Sequence, residues 1–190
     1  MKIDKIAVFC GSSPGSKHTY TEAAQEMGRE LAEKSRTLIY GGSQVGCMGA
    51  LADAALHHQG EVIGVIPQKL KDVEIAHNSL TELFIVKDMH ERKAKMASLA
   101  EGFIALPGGA GTLEEWFEVF TWAQLGYHQK PCGLLNVDGF YDPLIAMLDH
   151  TIAEGFMKDM YKDLIVVASE PAELLKQMDA YTYSLTAKWE

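Results

Sequence analysis

The amino-acid sequence predicts a doubly wound α/β domain, a parallel sheet flanked by helices. Apolar runs of about four to seven residues, the length and composition of strands buried on both faces, alternate with segments of helical period. Glycine-rich turns stand after several of these runs and before the helices that follow them. At 190 residues and 47% hydrophobic content the chain can bury one substantial core, so residues 1–190 are expected to form a single nucleotide-binding type of domain.

Strands are predicted at 3–10, 37–40, 61–66, 83–86, 102–106, 132–135 and 164–167, each rich in Val, Ile, Leu or Phe. Helices are predicted at 19–34, 50–58, 89–100, 112–125, 142–154 and 172–178; the first repeats Ala23, Met27 and Leu31 at four-residue intervals. Strand and helix in strict alternation make the sheet Rossmann-like. The stretch 67–81 is the one long connection with weak periodicity, a candidate lid, and the tail after Asp179 lacks a clear period and is expected to cover a surface or a partner.

Composition excludes several classes. No apolar run approaches the roughly 20 residues that span a bilayer, and Met1 leads almost directly into a strand without a secretory signal, so no membrane association and a cytoplasmic location are expected. The formal net charge of −9 argues against sequence-independent binding of nucleic acid, which needs clustered cations. Three separated cysteines, Cys10, Cys47 and Cys132, suggest neither a disulfide framework nor a zinc cluster, and the histidines show no metal-ligand spacing. Cys47, near a helix start, fits a packing role.

Three glycine-bearing turns carry the functional signal: Cys10-Gly11-Ser12-Ser13, then Gly41-Gly42-Ser43 through Gly46 and Gly49, then Pro107-Gly108-Gly109-Ala110-Gly111-Thr112. In a parallel sheet the carboxyl ends of the strands share one edge, so the turns can converge on one crevice. Glycine admits a ligand close to the backbone, and helix starts favour an anion; phosphate suits such a site. There is no GxxxxGK[ST] run and no GxGxxG after the first strand, which favours a mononucleotide over ATP hydrolysis or a dinucleotide.

Two candidate groups stand beside these turns. Glu115 could stabilise an oxocarbenium-like sugar or activate water, but Thr112-x-x-Glu115 is also the spacing of a helix capping box, which needs no chemistry. Arg92 and Lys93 sit at a helix start, where adjacent cations are unfavourable; an anionic ligand would explain them, and so would a solvated turn paired with Asp88 or Glu91. Trp116, Phe117, Phe120 and Trp122 fit a core or subunit interface.

The run from Pro107 to Glu115 matches PGGxGTxxE, and with the Cys10 turn, the 41–49 turn, Met89-His90-Glu91-Arg92-Lys93, Leu134-Leu135-Asn136-Val137-Asp138-Gly139 and Glu154-Gly155-Phe156 it resembles the LOG (Lonely Guy) family over nearly the whole chain. That resemblance implies a phosphoribohydrolase that cleaves the N-glycosidic bond of AMP or a cytokinin riboside 5'-monophosphate, releasing base and ribose 5-phosphate without a cofactor. It implies Arg92 and Glu115 as the catalytic pair. It implies nucleotide contacts from Ser12, Gly42, Glu74, Lys93, Gly108, Gly109, Ala110, Gly111 and Thr112, and a homodimer with the site near the subunit interface. Ser43 departs from the pattern, since many relatives have a third glycine there. The family's older label of lysine decarboxylase is set aside, because nothing in the sequence marks a pyridoxal phosphate site. The competing classes are a nucleotide or cofactor carrier of the same fold, which needs neither Glu115 nor Arg92, and a DNA-processing domain, which needs a basic stripe.

Overall fold

The computed structural model describes residues 2–71 and 76–183. Seven parallel strands form one sheet: β1 (Lys5–Phe9), β2 (Thr37–Tyr40), β3 (Val62–Pro67), β4 (Glu82–Val86), β5 (Gly102–Ala105), β6 (Cys132–Leu135) and β7 (Ile165–Ala168). Their order across the sheet is β4-β3-β2-β1-β5-β6-β7. The chain therefore walks outward from β1 to β4, returns to place β5 on the other side of β1, and walks outward again. The reversal puts a crevice at the carboxyl ends of β1 and β5, where doubly wound sheets bind ligands.

The helices are α1 (His18–Glu33), α2 (Gly46–His57), α3 (Gln68–Lys71), α4 (Met89–Leu99), α5 (Ala110–Gln124), α6 (Asp142–Ala153) and α7 (Pro171–Ala180). Alternation along β1 divides the core in two. Ile6, Val8 and Cys10 face a cluster with Met27 and Leu31 of α1, Leu51 of α2 and Leu174 of α7. Ala7 and Phe9 face the opposite cluster with Met96 of α4, Trp116 and Phe120 of α5 and Leu148 of α6. The expected stripe on α1 is therefore a core face at Met27 and Leu31, with Ala24 buried and Ala23 packed at its margin. Trp116 and Phe120 are core, Trp122 packs at the edge of that core, and Phe117 remains exposed.

Strands β2 and β6 have the predicted bounds, whereas two helices begin two or more residues earlier than predicted. α2 starts at Gly46 rather than residue 50, and α5 at Ala110 rather than Thr112, because glycines that suggest loop lie inside the first helical turn. The 67–81 connection also opens with a short helix, α3, rather than an irregular loop. Its far end is tied down: Ala76 bridges Ser43, and His77 N donates to Gly42 O at 2.9 Å. Beyond α7, Tyr181 packs on the first core cluster and Tyr183 on the second, so the beginning of the tail covers part of both. No helix among the described residues is long and apolar enough to cross a membrane.

Candidate active site

The three glycine turns meet. A Cβ on Gly46, whose φ is +59°, would overlap the carbonyl of Ser12, and a Cβ on Gly11 would lie 3.5 Å from Gly108 Cα. These close approaches bring the turns after β1, β2 and β5 around a cavity of about 360 Å³ lined by Gly11, Ser12, Gly41, Arg92, Glu115 and the start of α5. Leu70, Met89 and Met96 form its apolar wall. A second lobe of about 360 Å³ shares Gly11, Ser12 and Gly109 with the first and continues past Gly108 to Tyr20 and Phe140.

The third glycine turn runs directly into the start of α5. Gly109 caps the helix without any side-chain hydrogen bond, and the first intrahelical bond runs from Leu113 N to Gly109 O at 3.2 Å. The N–H groups of Ala110, Gly111 and Thr112 thus precede the helical ladder, at the positive end of the helix dipole. A Cβ on Gly109 or on Gly111 would meet nothing within 4 Å, and both residues line the cavity. Neither has a positive φ. Packing and backbone strain therefore explain neither glycine, and both keep space open on the cavity side.

Glu115 stands one turn beyond Gly111 on the same helical face and is 9% exposed. It is not half of a capping box with Thr112, because Thr112 is the third residue of α5, is itself buried, and the cap is Gly109. The capping motif in this region lies instead on α4, where Asp88 Oδ1 accepts from Glu91 N at 3.0 Å and Glu91 Oε2 accepts from Lys87 N at 2.7 Å. Those bonds leave the Asp88 carboxyl below its usual range, the Glu91 amide being the principal cause.

With both carboxylates so engaged, the solvated-turn account of Arg92 and Lys93 fails. Arg92 is 6% exposed; its Nε donates to Val65 O and its Nη2 to Gly41 O, both at 3.1 Å, and its Nη1 faces Met89 Sδ at 3.7 Å. A Cβ on Gly41 would overlap Nη2, which explains a glycine after β2. The buried Cys10 thiol lines the same cavity: burial raises its pKa well above the ordinary thiol value, the charges of Cys47 and Glu115 add to the rise, and that of Arg92 opposes it. Burial likewise raises Cys47, against a hydrogen bond from Thr21, so Cys47 is a packing thiol.

Not every expected residue reaches the cavity. Ser12, Gly109, Ala110, Gly111, Thr112, Arg92 and Glu115 line it, and Gly108 lines the adjoining lobe. Gly42 does not; with φ +78° it packs toward Ile66 and Leu83 and forms the turn that sets Gly41. The Lys93 ammonium is engaged by Glu114 and, at 3.2 Å, by Glu118, both on α5. Glu74 lies outside the described residues. Ser43, the departure from the pattern, is buried and its hydroxyl accepts from Val45 N at 3.4 Å, so the turn accommodates it.

Sequence reasoning missed the supporting residues. Tyr141 Oη donates to Leu106 O at 2.6 Å, just ahead of the third glycine turn, and Asn136 Oδ1 accepts from Tyr141 N at 2.7 Å. The apolar wall also went unnoticed, although Met89, Arg92 and Met96 fall at i, i+3 and i+7 on one face of α4.

The family model described as possible lysine decarboxylase matches residues 48–178. Cytokinin riboside 5'-monophosphate phosphoribohydrolase LOG7 of Arabidopsis thaliana is 51% identical over 95% of this chain and 83% of its own length. Probable cytokinin riboside 5'-monophosphate phosphoribohydrolase LOGL1 of Oryza sativa subsp. japonica is 50% identical over 96% of this chain and 82% of its own length. Among solved structures, the molybdenum cofactor binding protein from Rippkaea orientalis superposes with a TM-score of 0.71 over 95% of this chain and 98% of its own, at 22% identity, a likeness of fold. Extended identity to the phosphoribohydrolases, on a fold shared more widely, means that this chain belongs to the LOG family.

Proposed function

We propose that the protein hydrolyses the N-glycosidic bond of adenine-type nucleoside 5'-monophosphates, AMP or a cytokinin riboside 5'-monophosphate, to free base and ribose 5-phosphate. The observation that carries this is the open cradle at Gly109 and Gly111, one helical turn from the buried Glu115 and across from the buried Arg92. Amides of Ala110, Gly111 and Thr112 hold the 5'-phosphate at the start of α5, with Ser12 and Thr112 supplying hydroxyls. The apolar wall of Leu70, Met89 and Met96 takes the base, and a cavity of about 360 Å³ is of the size that ligand sites have. Anchoring the remote phosphate fixes the sugar so that its C1' lies beside Glu115.

In the reaction, the bond from C1' to the base breaks with its electron pair leaving on the base, which takes up a proton. Water adds its oxygen to C1'. Glu115 stabilises the positive charge that builds on the sugar, accepts a proton from the water and passes it to solvent, from which the departing base takes its own, while Arg92 orients the nucleotide. The resemblance supports a homodimer working in the cytoplasm; exposed Met89 on α4 and exposed Phe117 on α5 supply apolar surface for such a contact.

The test is chromatographic: incubation with AMP and with isopentenyladenosine monophosphate should release free base and ribose 5-phosphate. Nucleotide bound without base release would favour the carrier reading instead. Gly111→Ala checks the cradle, since the added methyl meets no protein atom within 4 Å. Its melting temperature should stay at or above that of wild type, and KM for the nucleotide should rise about tenfold. An unchanged KM would move the phosphate elsewhere.

A further inference from the structure

The far end of the 67–81 connection carries a histidine that the proposed reaction does not use. His77 is 7% exposed, and its ring is held at both nitrogens. Nδ1 accepts from Ser79 N at 3.2 Å, so the ring proton stands on Nε2, which donates to Asp53 Oδ1 at 2.9 Å. Asp53 lies on α2, and its side chain is 71% exposed. Neither residue lines the cavity. A buried imidazole with both nitrogens taken by the protein has none left for a ligand or a proton transfer, so its role at the site is geometric.

The backbone around the ring shows what that geometry is. Ala76 N donates to Lys71 O at 3.1 Å, Ala76 bridges Ser43, and His77 N donates to Gly42 O at 2.9 Å. Gly41 O, one residue earlier in the same turn, accepts from Arg92 Nη2 at 3.1 Å. Successive carbonyls of the turn after β2 are thus taken from two directions, one by the His77 amide and one by the Arg92 guanidinium. Two adjacent glycines hold no conformation by themselves, so the direction of the Gly41 carbonyl depends on what holds its neighbour. From this geometry we infer that His77 is a positioning residue: clamped between Asp53 and Ser79, its ring fixes the backbone that holds Gly42, and so the Gly41 carbonyl that orients Arg92. The inference deepens the reaction proposed above and rests on it. Arg92 keeps its bond to Val65 O when His77 is changed, so loosening the turn should slow the reaction less than removing the arginine does.

Two variants open the clamp from opposite ends. His77→Asn can still accept from Ser79 N but is too short to reach Asp53, and Asp53→Ala removes the partner at an exposed helical position that suits alanine. Both should lose about fivefold in kcat for AMP, with KM changed less than about twofold. Asp53→Asn, whose amide oxygen still accepts from Nε2, should keep most of the activity. In an Arg92→Ala background neither His77→Asn nor Asp53→Ala should slow the enzyme further, because the clamp acts through Arg92. Wild-type kcat in both variants, even with a lowered melting temperature, would make the clamp purely structural and overturn the inference. A rise in KM at unchanged kcat would overturn it too, as would a loss in kcat that persists in full without Arg92.

Amide hydrogen exchange separates this inference from the proposed reaction, since it needs no turnover. The amides of Ala76, His77 and Ser79 are hydrogen-bonded within the clamped segment, and Asp53→Ala should speed their exchange about threefold. Faster exchange in a protein that releases no base would keep the clamp and reject the reaction. Unchanged exchange in an active enzyme would reject the clamp alone.

Discussion

Glu115→Gln is expected to lower base release by about 10²- to 10³-fold while AMP still binds with nearly wild-type affinity. The amide has almost the same volume, so the buried site and the first turn of α5 keep their packing. What disappears is the negative charge beside C1' and the ability to accept a proton from water. Both act in the transition state, when the sugar becomes cationic and water attacks, and neither contributes to holding a ground-state nucleotide whose phosphate is bound elsewhere. Single-turnover assays with calorimetric AMP titration distinguish the outcomes. A loss of affinity that matches the loss of rate would make Glu115 a binding group, and near-normal turnover would remove it from the mechanism.

Arg92→Ala is expected to be damaging twice, with turnover falling about 10²-fold and stability falling by about 1–3 kcal/mol. The rate effect follows from removing the cation that orients the nucleotide across from Glu115. The stability effect has a separate origin: Nε and Nη2 satisfy Val65 O and Gly41 O at a buried position, and truncation leaves those carbonyls to whatever water enters. Thermal melting reads the second effect without substrate. A variant that melts as wild type but turns over slowly would assign Arg92 to chemistry alone. One that turns over normally would dismiss it from the site.

Much of this architecture is legible in the sequence because strands buried on both faces write themselves as continuous apolar runs. β2 and β6 have all four residues buried, and their bounds follow from composition. Helix starts are less legible where the first turn contains glycine, whose usual association with loops hid the true beginnings of α2 and α5. A start at Thr112 leaves a capping reading open for Glu115 beside the catalytic one, whereas a start at Ala110 sets it one turn inside the helix.

Arg92 and Lys93 illustrate a different limit. They are neighbours in sequence, yet the helix sends one into backbone carbonyls under the cavity and the other across to α5. Periodicity places both on α4, but only the packing of α4 against β3 and α5 decides their partners. Tyr141 is less visible still, since its bond to Leu106 O spans 35 residues and no local pattern announces it.

The two helix starts at the cavity's rim are finished in opposite ways. α4 begins beneath carboxylates of its own chain, Asp88 and Glu91, which have already taken up its terminal amide field. α5 begins at a bare glycine, and its field is spent on nothing within the chain's own caps. An incoming molecule with one anionic end and one apolar end meets a surface that repels its charge on one side and accepts it on the other. For the proposed substrate, the direction in which it would lie, head at α5 and tail along the methionines of α4, follows from how each helix is begun.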